Sequence, residues 1–191
     1  MSEKPATVVS VNLSAKKTVR KTPGERGTLV LDRGFETDAH AGDWHRQVSL
    51  LALESIQSMV DKGLDVGPGD FAENITTSGI DLLALPVGSV VRIGKDSVLE
   101  ISQIGKVCHT KCAIYYQAGD CVMPREGLFA VVRQAGDIVV GDEITVVSLG
   151  DGTCDRTPAA AIAEFAAEKA AEAAARGEAC EPASAGARTE G

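Results

Sequence analysis

The chain has 191 residues, 44% of them hydrophobic, and a formal net charge of −8. That length fits one domain with an extension, and the apolar share excludes a disordered chain over most of it. The negative balance argues against a general nucleic-acid binder, which needs a basic face, but leaves room for a local basic pocket around one small anion.

Aromatic residues make up only 4% of the chain, so the core is expected to be aliphatic. Met1 to Pro5 carries no apolar signal-peptide core. No apolar run reaches the about 18 residues that a membrane span needs, so the expected location is the cytoplasm, with no membrane partner. Five cysteines are an odd number, and a reducing compartment makes a disulfide framework improbable.

In chain order, Thr7–Leu13 alternates apolar and polar residues and reads as a strand. Gly27–Leu31 reads as a short strand before a turn at Asp32–Gly34, and Val48–Leu51 as another. Leu53–Lys62 is the one convincing helix: Leu53, Ile56 and Met59/Val60 recur about one turn apart, and Gly63 stops it. Gly88–Gly94 and Ser97–Ser102 predict a hairpin with Lys95–Asp96 near its turn. Phe129–Arg133 and Glu143–Val147 complete the strands, with Ala135–Asp137 and Gly141–Asp142 as turns. Many short strands with one helix predict a mainly β fold, a closed or nearly closed β-barrel with a few short helices.

The composition changes near Gly150. Residues 1–150 form the expected β domain, and 151–191 an Ala/Glu-rich extension. Ala161 to Arg176 has high helix propensity but little to bury beyond Ile162 and Phe165, so it predicts a marginal helix followed by a disordered end. Cys154 and Cys180 lie there and receive no role.

The chemistry concentrates between Cys108 and Cys121, where fourteen residues hold three of the five cysteines and His109, one of three histidines. Lys106 and Lys111 flank them. A thiolate, not a thiol, attacks and ligates, and neighbouring cations favour it, which makes Cys112 the first candidate nucleophile or soft-metal ligand, with Lys106, His109 and Lys111 as its stabilisers. A zinc site built on Cys108, His109, Cys112 and Cys121 is an alternative, although adjacent Cys and His rarely face one ion. A buried inert cysteine is the plain alternative for each.

The segment Asp38–Gln47 holds the other two histidines, His40 and His45, the only Trp and Arg46. Arg46 with these histidines suits recognition of an anion such as phosphate, and an ordered loop that satisfies its own backbone explains the same residues equally well. Asn74 and Thr76 in Gly69–Gly79 can line a polar pocket, while Thr77 and Ser78 read better as caps and turns. Arg125 adds a cation beside the cysteine loop.

These segments together resemble the MOSC domain, named for the C-terminal domain of molybdenum cofactor sulfurases, and within it the small stand-alone bacterial members. The match rests on Asp38-Ala39-His40-Ala41-Gly42-Asp43-Trp44-His45-Arg46-Gln47-Val48-Ser49, Phe71–Thr77, Leu85-Pro86-Val87-Gly88 leading to Ile93-Gly94, and the Cys108–Cys121 loop followed by Gly136-Asp137-Ile138 and Gly141-Asp142. It spans about Thr7 to Val147.

The resemblance implies a mostly β barrel and singles out Cys112, which in sulfurases carries sulfur and in amidoxime-reducing relatives ligates molybdenum. Cys108 and Cys121 belong to the subgroup pattern, as possible metal ligands beside Cys112. Arg46, His45, His40, Asn74 and Arg125 are the residues expected to meet the molybdenum cofactor (molybdopterin). The expected function is a cofactor-binding or sulfur-carrier module, with Cys112 holding a persulfide or molybdenum. A separate cysteine desulfurase or molybdenum cofactor enzyme is the expected partner. The chain has no room for a pyridoxal phosphate domain. A molybdenum-dependent reductase of N-hydroxylated compounds, fed by an external electron donor, is the enzymatic alternative, and a structural zinc protein the other.

Overall fold

The computed structural model describes residues 5–106, 113–119 and 121–158. The expected helix of the tail, 161–176, lies outside them. The fold is mainly β, with eleven strands and three short helices among the described residues.

Strands β1 (Thr7–Leu13), β2 (Thr22–Gly24), β3 (Arg26–Val30), β4 (Gly34–Phe35) and β5 (Val48–Ala52) precede helix α1 (Leu53–Asp61). Strands β6 (Ile75–Ser78), β7 (Val90–Ile93) and β8 (Ser97–Ile104) follow, then helices α2 (Ala113–Ala118) and α3 (Met123–Glu126). Strands β9 (Leu128–Gln134), β10 (Gly136–Val139) and β11 (Ile144–Ser148) complete the order.

Eight strands form one sheet in the order β11-β7-β8-β9-β5-β6-β1-β2, and β10-β3-β4 form a second. The predicted hairpin is present as β7 and β8, paired antiparallel from Val90↔Glu100 to Ile93↔Ser97. Strands β5 and β6 are parallel. Parallel neighbours cannot be joined by a tight turn, so the chain between them makes a crossover that contains α1.

Strand β5 is where two cores meet. Val48 and Leu50 belong to the larger aliphatic cluster with Val11, Leu29, Ile75, Ile93 and Ile101. Leu51 points the other way, into a cluster with Ile56 and Met59 of α1, Ile114 of α2, Met123 of α3 and Phe129. Side chains alternate across a strand, so a strand covered on both faces must be apolar at successive positions. Strand β9 repeats the pattern: Leu128, Ala130 and Val132 face the larger cluster and Phe129 the smaller.

Three expectations need correction. First, the sheets are not closed into a barrel. Strand β1 shares its second edge between two partners: Val11–Leu13 pair with β2, whereas Thr7 makes a single bridge to Glu143, just before β11. Backbone bonds Val8 N→Asp142 O at 2.9 Å and Ile144 N→Ala6 O at 2.8 Å support that one junction. The β2 hairpin occupies the edge that a continuous ladder would use.

Second, Gly136-Asp137 is strand rather than turn. It opens β10, which pairs with β3 from Gly136↔Leu29 to Val139↔Arg26. A Cβ at Gly136 would lie 2.7 Å from Ser97 Oγ, so the glycine allows the close approach. Third, Thr77 and Ser78 lie in strand β6 rather than in a turn, and Ile75 to Thr77 are buried.

Candidate functional site

The 38–47 loop enters β5 and lies against β8. Ser102 Oγ donates to the His45 carbonyl, and His45 Nε2 lies 2.9 Å from Gln103 Oε1. Gln103 Nε2 in turn donates to Gly105 O at 2.8 Å. Burial holds the His45 pKa below its ordinary value and the Arg46 charge adds to that, against the opposing Gln103 contact, so the site favours the neutral ring.

Arg46 is half-buried between rings. Its Cζ lies 4.9 Å from the Trp44 ring centroid and 5.7 Å from that of Phe129, distances at which a cation is attracted to the ring face. The Trp44 indole N–H donates to the His40 carbonyl at 2.9 Å, which ties the two ends of the short loop together.

The start of the cysteine loop is fixed to the same edge. Gly105 N donates to Gly127 O at 2.7 Å and Lys106 N to Pro124 O at 3.0 Å. The chain therefore leaves β8 for residue 107 three residues after the side chain that holds His45. Cys108, His109, Lys111 and Cys112 lie outside the described residues. Cys121 is half-buried, in no disulfide, and packs against the smaller apolar cluster. Arg125 on α3 is 3.5 Å from Glu126 Oε1.

Asn74 is taken up by the scaffold. Its Oδ1 accepts from Ser49 N at 3.1 Å and Ser49 Oγ at 3.0 Å, and its Nδ2 donates to Asn12 O at 3.3 Å. It locks β5 to β6 and β1, and the structure does not bring it together with His45 and Arg46 through any of these bonds.

Sequence reasoning missed Lys21, Gln103 and Arg156. Lys21 is one of four cations between residues 16 and 21, and nothing in that run distinguishes it from a solvated lysine. Its side chain is 1% exposed and lies 2.5 Å from Asp38 Oδ2. Arg156 pairs with Asp43 and lies 3.9 Å from Asp32, while Thr157 Oγ1 donates to Ser102 O at 2.5 Å. Residues 150–158 thus run back across the sheet to the 38–47 loop.

Two other features carry less. Glu100, Cys154 and Asp155 lie close enough together to share an ion, but Arg133 already pairs with both carboxylates. A cleft of about 390 Å³ beside α1 is lined by Glu54, Asp81, Leu83 and Glu126, the wrong charge for an anion, and by no residue of the 38–47 loop.

The MOSC domain family model matches residues 37–145, more than half of the chain, from the Asp38 loop to the start of β11. The chain belongs to the MOSC domain family. Solved structures similar to this MOSC domain include the YUAD protein from Bacillus subtilis, at 17% identity and a TM-score of 0.63, covering 74% of this chain and 94% of that one. YiiM from Geobacillus stearothermophilus is 20% identical, with a TM-score of 0.61, covering 91% and 90%. YiiM from Escherichia coli is 17% identical, with a TM-score of 0.54, covering 74% and 70%. At these identities the likeness is one of fold. No curated protein matches this MOSC domain by sequence. Among its described residues no helix is long and apolar enough to cross a membrane.

Proposed function

We propose that this MOSC domain is a molybdenum cofactor-binding or sulfur-carrier module in which Cys112 is the working thiol. The observation that carries the reading is the cluster of basic residues at the edge where the cysteine loop begins. His40, His45 and Arg46 share one short loop, Lys106 is close enough to Lys21 for their charges to interact, and Gln103 joins the loop to β8. In a chain of net charge −8 this concentration of basic groups is local. Its chemistry fits a group that carries phosphate, since guanidinium and imidazole N–H donors pair with phosphate oxygens.

The cofactor, when bound, supplies redox and sulfur chemistry at molybdenum. The residues of this chain bind and orient its anionic part. Arg46 and His40 would hold the phosphate, with His45 held beside them by Gln103, and Arg125 and Lys106 would flank the thiol loop. As a sulfur carrier, the Cys112 thiolate attacks the outer sulfur of a donor persulfide. A Cys112 S–S bond forms, the donor S–S bond breaks, and the donor leaves as its thiolate. A separate cysteine desulfurase is the partner this step calls for, because the step consumes a donor persulfide that must be generated elsewhere.

The test is to purify the protein after co-expression with cofactor synthesis and to measure molybdenum, pterin and labile sulfur. Wild type is expected to carry pterin with molybdenum or labile sulfur, and Cys112→Ser to lose the labile sulfur. Protein with none of these, and a Cys112→Ser variant indistinguishable from it, counts against the reading. Zinc near one per chain, lost on replacing Cys108, Cys112 or Cys121, replaces it with a structural zinc site.

A further inference from the structure

Behind the 38–47 loop lies a charged group that anion binding alone does not explain. Lys21 Nζ and Asp38 Oδ2 are 2.5 Å apart, and each side chain is 1% exposed. The Asp38 carboxylate is almost fully engaged: Oδ2 also accepts from Ser14 N at 3.0 Å, and Oδ1 accepts from the His40 backbone N–H at 3.0 Å. His40 Nδ1 lies 3.3 Å from Lys21 Nζ and 3.4 Å from Asp38 Oδ1.

These two contacts of Nδ1 require opposite tautomers. A protonated Nδ1 would donate to Asp38, and a bare Nδ1 would accept from Lys21. An ammonium donates and never accepts. Burial lowers the Lys21 pKa, but the contact with the Asp38 carboxylate at 2.5 Å opposes that and favours the ammonium. A proton on Nδ1 would face that ammonium across 3.3 Å in a region with little solvent to screen the repulsion. Asp38 Oδ1 does not need the ring, because the His40 backbone already supplies it a donor.

We propose that Lys21, fixed by Asp38, is a positioning residue that holds His40 as its Nε2–H tautomer, so that the ring presents a set donor to an anionic oxygen at the 38–47 loop. The ring is 29% exposed, and its Nδ1 edge faces groups that are 1% exposed, so the accessible edge is the Nε2 edge. Trp44 holds the His40 carbonyl and stacks under Arg46, which sets an N–H donor and a guanidinium on one loop. The ligand half of this inference rests on the anion-binding reading above. The tautomer half does not.

The test is the long-range ¹⁵N–¹H correlation spectrum of the histidine rings in the full chain at about pH 8, above the ordinary histidine range. His40 is assigned by the signals lost in His40→Gln. A protonated Nε2 with a bare Nδ1 is expected, and a protonated Nδ1 overturns the proposal. In Lys21→Met the ratio of Nδ1–H to Nε2–H is expected to rise about tenfold or more, the range that loss of a hydrogen bond to a charged group gives. An unchanged ratio in folded Lys21→Met overturns the role of Lys21. Should that variant fail to fold, the wild-type spectrum still decides the tautomer.

Inorganic phosphate at tens of millimolar is expected to move the His40 Nε2 resonance, and no movement overturns the ligand half. None of these measurements needs molybdopterin. A locked Nε2–H ring in protein that purifies without cofactor supports the positioning role and counts against the cofactor reading. An Nδ1–H ring in loaded protein does the reverse.

Discussion

Asp38 and Glu73 are both buried carboxyl groups, and their surroundings drive them in opposite directions. Burial alone would raise the Asp38 pKa, but the donors from Lys21 and the His40 backbone N–H, with the Lys21 charge, outweigh it and hold the group well below the usual carboxylate range. Glu73 is fully buried, and burial pushes it above its ordinary value despite donors from Gly69 N and Thr76 Oγ1. Its Oε2 has no partner among the described residues. The signs follow from linkage. Asp38 contributes stability above about its unfolded value of 3.8, and that stability is lost as pH falls below it. Glu73 keeps its contribution below about 4.5 and loses it as pH rises through its folded pKa. Denaturation midpoints of Glu73→Gln are therefore expected to change less with pH above 4.5 than those of wild type. Parallel curves would count against a displaced Glu73. Lys21→Met removes the counter-charge of the buried Asp38 carboxylate, at a cost of about 3–5 kcal/mol, read by urea titration. A double variant with Asp38→Leu should recover part of that loss, because a buried pair can be replaced by apolar groups at little cost.

At the scale of elements, sequence pattern was readable wherever one residue type dominated a face. The paired runs of β7 and β8 and the spacing of Ile56 and Met59 in α1 have direct counterparts in burial, whereas β1 departs from its alternation by burying Ser10, Val11 and Asn12 in succession. Strand β6 was not readable because Thr76 and Thr77 are buried polar residues. Thr76 is inside because Glu73 Oε1 accepts its hydroxyl at 2.8 Å, a partner that no local pattern shows. Strand β2 is exposed throughout and contains Pro23, so only its pairing with β1 defines it. The 38–47 loop was readable from its residue types, whereas its supports, Lys21 and Gln103, come from distant parts of the chain.

Two predictions belong at this scale. Leu50→Ala removes a side chain 1% exposed in β5 and is expected to cost about 2–5 kcal/mol in chemical denaturation. Arg156→Ala breaks a pair whose Asp43 side chain is 84% exposed, so its stability cost should stay within about 1 kcal/mol. Amide exchange across residues 43–46 should nevertheless quicken, because Arg156 ties the loop to the chain beyond β11. Unchanged exchange would show that Thr157 and Ser102 hold the loop without it.

For the molecule as a whole, both cores meet at β5, and the candidate site is mounted where that strand begins. The anion affinity proposed for the site comes from a few close basic residues, so it should fall as added salt screens their attraction. The junction between β1 and β11 has a different consequence, for the order of assembly. Thr7 meets Glu143, so one of the first strands made cannot complete its edge until nearly all the described chain has been synthesised. Contacts between residues so far apart slow folding, since the chain entropy of closure is lost before the contact forms. During translation the amino-terminal half of β1 waits as an open strand edge, which makes the nascent chain, rather than the finished protein, the species most exposed to strand-mediated aggregation.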